Sequence, residues 1–313
     1  MRVPALGLAC TAAFAVAACF FPALAWARRA RAVAFVALAP FVLLTPLLLP
    51  AERRLARYLA AVFATVLAVK LYDLQAHGAP RTTLRAYLTL LANPFGLILR
   101  KLDIKRRPPA RVDLAQFGLG LAGAVGGACL LAGAFAVDWR RLPFALEYVA
   151  WVLAFYVALL PPLSAAAAAW RLLGGAGLDV MNRPWLARTP ADFWRRYNRP
   201  MQQFFWEDVF KPVGGLRAPV RATLLVFVVS AVLHEYVFGI AIGRVQGYQT
   251  AFFMLQGAAV AATARVKARG WRALPWAAGT LGFNLVSSVL FFASMNGLVP
   301  FYSRGFPVGL GGW

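Results

Sequence analysis

Apolar stretches of about 20 residues recur along this chain, at 3–26, 32–50, 55–76, 112–137, 144–172, 218–242, 248–266 and 273–295, and each has the length a helix needs to cross a hydrocarbon core. Lipid offers no partners to backbone N–H and C=O groups, so such stretches must close their hydrogen bonds internally. They predict an all-α integral membrane protein: a polytopic bundle of about eight transmembrane helices, read as one domain over 1–313. A ninth apolar piece, 84–99, is broken by Asn93-Pro94 and is expected to re-enter or lie at the interface. The stretch 144–172 is too long for one straight helix and holds Pro161-Pro162, which predicts a kink or break there.

Composition agrees. The chain is 61% apolar before its 26 glycines are counted, against about 45–50% for a soluble domain with glycine included. Soluble-enzyme, collagen-like and disordered readings are excluded. Three cysteines in apolar stretches, with no C-x-x-C pair, do not make a disulfide framework or zinc site. Two histidines and scarce carboxylates argue against a metal centre.

Basic residues outnumber acidic ones 33 to 11, a net charge of +22. On a membrane protein this reads as cytoplasmic loop charge and an anionic partner, not as nucleic-acid binding. Residues 100–111 carry six basic side chains and one acidic, so they belong in the cytoplasm. Residues 173–217, with Arg171 as flank, and Arg265–Arg272 follow on the same side. Residues 28–31 are also inside, which keeps the first span as a membrane helix despite the signal-peptidase-like Ala23-Leu24-Ala25. The loops at 51–57, 138–143 and Gly243–Gly247 then fall outside.

The cytoplasmic interval 173–217 is rich in aromatic residues, so it is structured. Thr189-Pro190-Ala191-Asp192 is a helix start, with Thr189 capping, Pro190 in the first turn and Asp192 reaching back. The helix is expected to run to about Arg199 and to end or bend at Pro200, placing Trp194 and Asn198 on one face.

His234 is the strongest chemical signal. It lies 13 residues after Arg221, about 20 Å along a helix. An ionisable residue at that depth is a functional candidate by default. A neutral imidazole accepts protons, so His234 is a candidate general base. Ser230, one turn earlier on the same face, is placed either to orient the ring or to fill a helix–helix contact, and Glu235 reads as a packing or cavity residue about 100° around the helix. His77 reads as a loop histidine, and Lys70 and Asp73 are expected to pair with each other. The chain lacks serine-hydrolase, P-loop, dinucleotide-binding and zincin motifs. No internal repeat supports a transporter; a proton-coupled transporter and a non-catalytic membrane scaffold are the alternative readings.

Three ordered blocks carry a resemblance: DFWRRYN at 192–198, FWEDVFKPVGG at 205–215 and VSAVLHE at 229–235. They resemble the D-F-W-R-R-W-H/N, R-D-Y-L-Y-I-P-L-G-G and V-S-G-L-x-H-E stretches of the membrane-bound O-acyltransferase family. Asn198 and Glu235 place the likeness on the wax-synthase and sterol/diacylglycerol acyltransferase side of the family, here read as its wax-synthase-like branch, with a motif core at 189–242; Ala231 stands where the family has glycine. The resemblance implies a many-helix fold with a tunnel in which His234 and Asn198 face the reaction. It also implies transfer of a fatty acyl group from acyl-CoA to a hydroxyl on a long-chain or other lipid alcohol. No permanently bound cofactor or metal is implied; membrane lipids, acyl-CoA and the hydroxyl acceptor are the partners. In that reading His234 is the base and Asn198 its hydrogen-bonding partner. Trp194, Arg195, Arg196, Arg199 and Lys211, with Ser230 and Glu235, then contribute to substrate binding, the cations holding phosphates. The predominance of Arg over Lys and the abundance of Ala fit a GC-rich bacterial genome, hence a bacterial inner or plasma membrane.

Overall fold

The computed structural model describes residues 3–102 and 108–303; residues 103–107 of the basic stretch at 100–111 lie outside the described residues. All regular structure among these is helical: α1 (Val3–Ala18), α2 (Arg28–Leu44), α3 (Arg54–His77), α4 (Leu84–Ala92), α5 (Ala110–Ala136), α6 (Phe144–Leu172), α7 (Pro190–Arg196), α8 (Arg199–Phe204), α9 (Pro219–Ile242), α10 (Tyr248–Thr263) and α11 (Ala273–Asn296). Seven segments among the described residues are long and apolar enough to cross a membrane: Ala5–Ala25, Arg28–Leu48, Arg54–His77, Ala110–Ala136, Phe144–Leu172, Pro219–Ile242 and Ala273–Asn296. The protein is a multi-pass membrane protein. The expected eighth span is α10, whose 16 residues reach only about 24 Å, short of a hydrocarbon core of about 30 Å.

The chain divides into two compact units, residues 1–102 with 203–257, and residues 103–202 with 258–313. In the first, α1, α2, α3 and the 84–99 piece pack around a core that includes Phe20, Val42, Leu67, Leu71, Leu74 and Tyr87, and α9 packs against α3. The 84–99 piece forms a nine-residue helix, capped by the Thr83 hydroxyl, which accepts from the Ala86 N–H at 3.2 Å. It ends at Asn93, as the Asn-Pro pair predicts, and is too short to cross. Lys70 does not pair with Asp73. Its fully buried ammonium donates to the carbonyls of Leu90, Leu91 and Asn93 at 2.8, 2.9 and 2.6 Å. A helix C-terminus has carbonyls without intrahelical partners and a partial negative charge, and Lys70 answers both.

In the second unit, α5 and α6 form a hairpin. Helix α6 is continuous through Pro161 and Pro162, so the expected break is absent. Proline removes the donor to the carbonyl four residues back, here that of Val157. That carbonyl lies against Gly127, where an added Cβ would come within 2.6 Å of it. Gly120 similarly meets Ala165 and Pro161. Arg171, counted in the sequence as the flank of the basic interval 173–217, is buried. It donates to Asp113 at 2.6 and 2.9 Å, to Asp179 at 2.8 Å and to Gln116 at 3.0 Å.

Candidate active site

The candidate residues divide between the units: Lys211, Ser230, His234 and Glu235 belong to the first, and Trp194, Arg195, Arg196, Asn198 and Arg199 to the second.

Helix α9 begins with Pro219 in its first turn and runs unbroken to Ile242. His234 lies eight residues before that end, about 12 Å along the axis. Its Nδ1 meets the backbone carbonyl of Ser230 at 2.8 Å. A carbonyl only accepts, so Nδ1 carries the proton and the lone pair of the neutral ring sits on Nε2. The partner is the main chain of Ser230, which any residue at 230 would supply, rather than its hydroxyl. Phe253 packs on the imidazole with ring centroids 4.3 Å apart.

Glu235 is buried and accepts from the N–H of Thr250 at 2.9 Å and from its hydroxyl at 3.2 Å. Thr250 is the third residue of α10. The carboxylate therefore caps a helix N-terminus, where a negative charge is favoured.

In the second unit, the start of α7 forms as the sequence predicts. The Thr189 hydroxyl accepts from the Asp192 N–H at 3.1 Å, and Asp192 reaches back to the N–H of Arg188 at 3.1 Å. The helix stops at Arg196, earlier than expected. Tyr197 is extended and Asn198 adopts φ 45°, a left-handed conformation that asparagine tolerates better than most residues. Asn198 then opens α8, its carbonyl accepting from the Gln202 N–H at 2.9 Å. Pro200 ends nothing here; it lies in the first turn of α8, where a missing N–H costs no intrahelical bond. Segment 180–182 secures the junction: Asn182 N–H donates to the Arg196 carbonyl and Arg199 N–H to the Val180 carbonyl, both at 2.8 Å. Trp194 and Asn198 consequently do not share a helical face. Trp194 packs edge-on against Phe193 and Tyr197.

The cations differ in availability. Arg196 is engaged with Asp192 at 3.0 Å, whereas the Arg195 side chain is 62% exposed and 3.9 Å from the same carboxylate. Lys211 pairs with Glu207 at 2.8 Å, and Lys101 reaches the same oxygen at 3.4 Å. Burial alone would raise the Glu207 carboxyl, but the hydrogen bond from Lys211 and the two lysine charges outweigh it and hold the group below its ordinary value.

A further cluster escapes sequence reasoning. Asp73, His77 and Asp208 bring one ligand-type atom each within 4.8 Å of one another. His77 Nε2 lies 2.8 Å from Asp208, and Arg100 donates to both Asp73 and Asp208. The guanidinium supplies the positive charge these carboxylates require, so the donor set is already matched by a side chain. His77 is thus no unattached loop histidine. The only signal for this group in the sequence is two adjacent acids, Glu207 and Asp208, set among aromatics.

The chain is similar to two curated proteins. It is 34% identical over 147 residues to the probable long-chain-alcohol O-fatty-acyltransferase 1 of Arabidopsis thaliana, covering 42% of this chain and 40% of that protein. It is 33% identical over 72 residues to the probable sterol O-acyltransferase 2 of Schizosaccharomyces pombe (strain 972 / ATCC 24843), covering 23% of this chain and 15% of that protein. The chain thus matches two fifths or less of the length of either relative. The family described as MBOAT, membrane-bound O-acyltransferase, matches residues 130–295, more than half of the chain. That span includes all three motif blocks whole, together with His234 and Asn198, and the chain belongs to the membrane-bound O-acyltransferase family.

Proposed function

We propose that this protein transfers a fatty acyl group from acyl-CoA to the hydroxyl of a lipid alcohol, in a bacterial inner or plasma membrane. The observation that carries the reading is His234: an imidazole within a spanning helix, its Nδ1 proton committed to the Ser230 carbonyl at 2.8 Å. That commitment makes Nε2 the basic atom.

In this mechanism Nε2 takes the acceptor's hydroxyl proton as its oxygen attacks the thioester carbonyl. The C–O bond forms, the C–S bond breaks, and the proton passes to the departing CoA thiolate. The products are an ester and free CoA, and this route requires no covalent serine or cysteine nucleophile. The carboxamide of Asn198 donates to the thioester oxygen as negative charge develops there. Arg195, with Arg199 and Lys211, offers charge to the CoA phosphates, and Trp194 contributes an aromatic wall. A dry surround keeps water from competing for the thioester. The long-chain-alcohol and sterol acyltransferase names of the relatives support an alcohol acceptor.

The test is purified protein in nanodiscs, supplied with radiolabelled acyl-CoA and a panel of fatty alcohols, diacylglycerol and sterols. Ester formation with at least one acceptor, dependent on His234, is expected. Thioester turnover that never yields an ester, or ester yield unchanged in His234→Ala, overturns the assignment.

A further inference from the structure

Helix α3 is tied at both ends to the part of the chain that carries His234. At its C-terminal end, Asp73 and His77 stand one turn apart. Asp73 shares Arg100 with Asp208, and His77 meets Asp208 directly at 2.8 Å. Asp208 belongs to Phe205–Phe210, a single π-helical turn, a rare geometry that concentrates at functional sites. The Asp208 side chain is only 1% exposed. Its Oδ2 has no hydrogen-bond partner among the described residues, so the seat of this carboxylate rests on Oδ1, which His77 and Arg100 share. Toward its other end, Tyr58 of α3 packs on Phe238 of α9 with centroids 5.1 Å apart.

Tyr58 and Asp73 are 15 residues apart, about 22 Å of helix. Phe238 lies one turn beyond His234 on α9. The π-helical turn and α9 are therefore held against the same antiparallel partner, one at each end. Sliding α9 along its axis would break the Asp208 contacts or separate Tyr58 from Phe238.

The geometry points to α3 as a strut that fixes the depth of His234, with His77, Asp73, Arg100 and Asp208 as positioning residues that touch no substrate. This rests on the acyl-transfer reading only for its kinetic consequence. Misplacement of a reacting group by 1 Å costs on the order of 10²-fold in rate, so a loosened strut lowers kcat and leaves the KM for acyl-CoA near the wild-type value.

The experiment reads position directly. Cys10, Cys19 and Cys129 are replaced by alanine, and a nitroxide is attached at Val232→Cys, a site 62% exposed on α9. Its depth is measured in nanodiscs from the ratio of oxygen to nickel-chelate accessibility. Asp208→Asn and His77→Leu are expected to shift that ratio and to lower kcat per folded molecule by about 10²-fold. His77→Gln, which keeps a donor at the ring position, restores both. His77 is 44% exposed, so its variants carry the test even if Asp208→Asn fails to fold. Unchanged nitroxide depth in His77→Leu overturns the strut, whatever the activity. A depth shift with no transfer by any form, wild type included, supports the strut and counts against the acyl-transfer reading alone.

Discussion

Glu235 accepts both the backbone N–H and the hydroxyl of Thr250, at 2.9 and 3.2 Å, and so seats the first turn of α10. A side chain lost from such a cap costs about 0.5–2 kcal/mol. Glu235→Ala is expected to lower the unfolding free energy by that amount in denaturant titrations. Glu235→Gln keeps an acceptor and loses less, and its acyl-transfer rate stays within severalfold of wild type. A Glu235→Gln variant as inactive as His234→Ala contradicts the capping role as its main one.

If His234 is the general base, as proposed, its loss costs about 10²–10⁴-fold. His234→Ala is expected to fall by that factor in kcat while the protein keeps its gel-filtration profile and melting temperature. Initial rates with radiolabelled acyl-CoA and a fatty alcohol check this.

Asn198 permits a cleaner separation of shape from chemistry, because its φ is 45°. Glycine enters that conformation freely, whereas a side chain with a Cβ pays roughly 1–2 kcal/mol. Asn198→Gly is expected to keep the turn and lose the carboxamide; Asn198→Ala loses the carboxamide and strains the turn. If the amide stabilises the developing oxyanion, both variants drop by about 10²–10³-fold in kcat, and only Asn198→Ala loses stability as well. Full activity in Asn198→Gly removes the amide from the mechanism.

Those two positions show what the sequence could and could not reveal. His234 was visible because a polar residue deep in an apolar run is costly and stands out. The α7 cap was visible because Thr189, Pro190 and Asp192 act within one turn. The stop at Arg196 was not, because it depends on segment 180–182 taking up the hydrogen bonds of the junction. Nor was the strut, since His77 and Asp208 lie 131 residues apart and pattern carries no register between distant helices. Lys70 and Asp73 misled for a related reason: spacing on one helix permits a pair, but the open carbonyls of α4 and the guanidinium of Arg100 each offered a better partner.

Arg171 holds Asp113 and Asp179 together inside the second unit. Removing one member of a buried ion pair leaves charge uncompensated and costs about 3–5 kcal/mol. Arg171→Met is expected to lose that much stability, and Arg171→Met with Asp113→Asn to recover part of it. Fluorescence-detected melting in detergent is sufficient to rank the three proteins.

Glu207 gives a pH dependence of known sign. Its folded carboxyl is held below its ordinary value by Lys211 and Lys101 against the effect of burial, so the stability it contributes is present above the unfolded value of about 4.3. It is lost as pH falls through the lower folded value. Both lysines are substantially exposed, which limits the effect to about 1 kcal/mol or less. Melting temperatures between pH 7 and pH 3 should fall more steeply for wild type than for Glu207→Gln.

The glycine contacts between α5 and α6 bring backbone against backbone at Gly120 and Gly127. No methylene chain fits through a seam that cannot admit even one added carbon. At those two positions the hairpin is a sealed partition, and on the acyl-transfer reading a greasy substrate must find its doorway somewhere else.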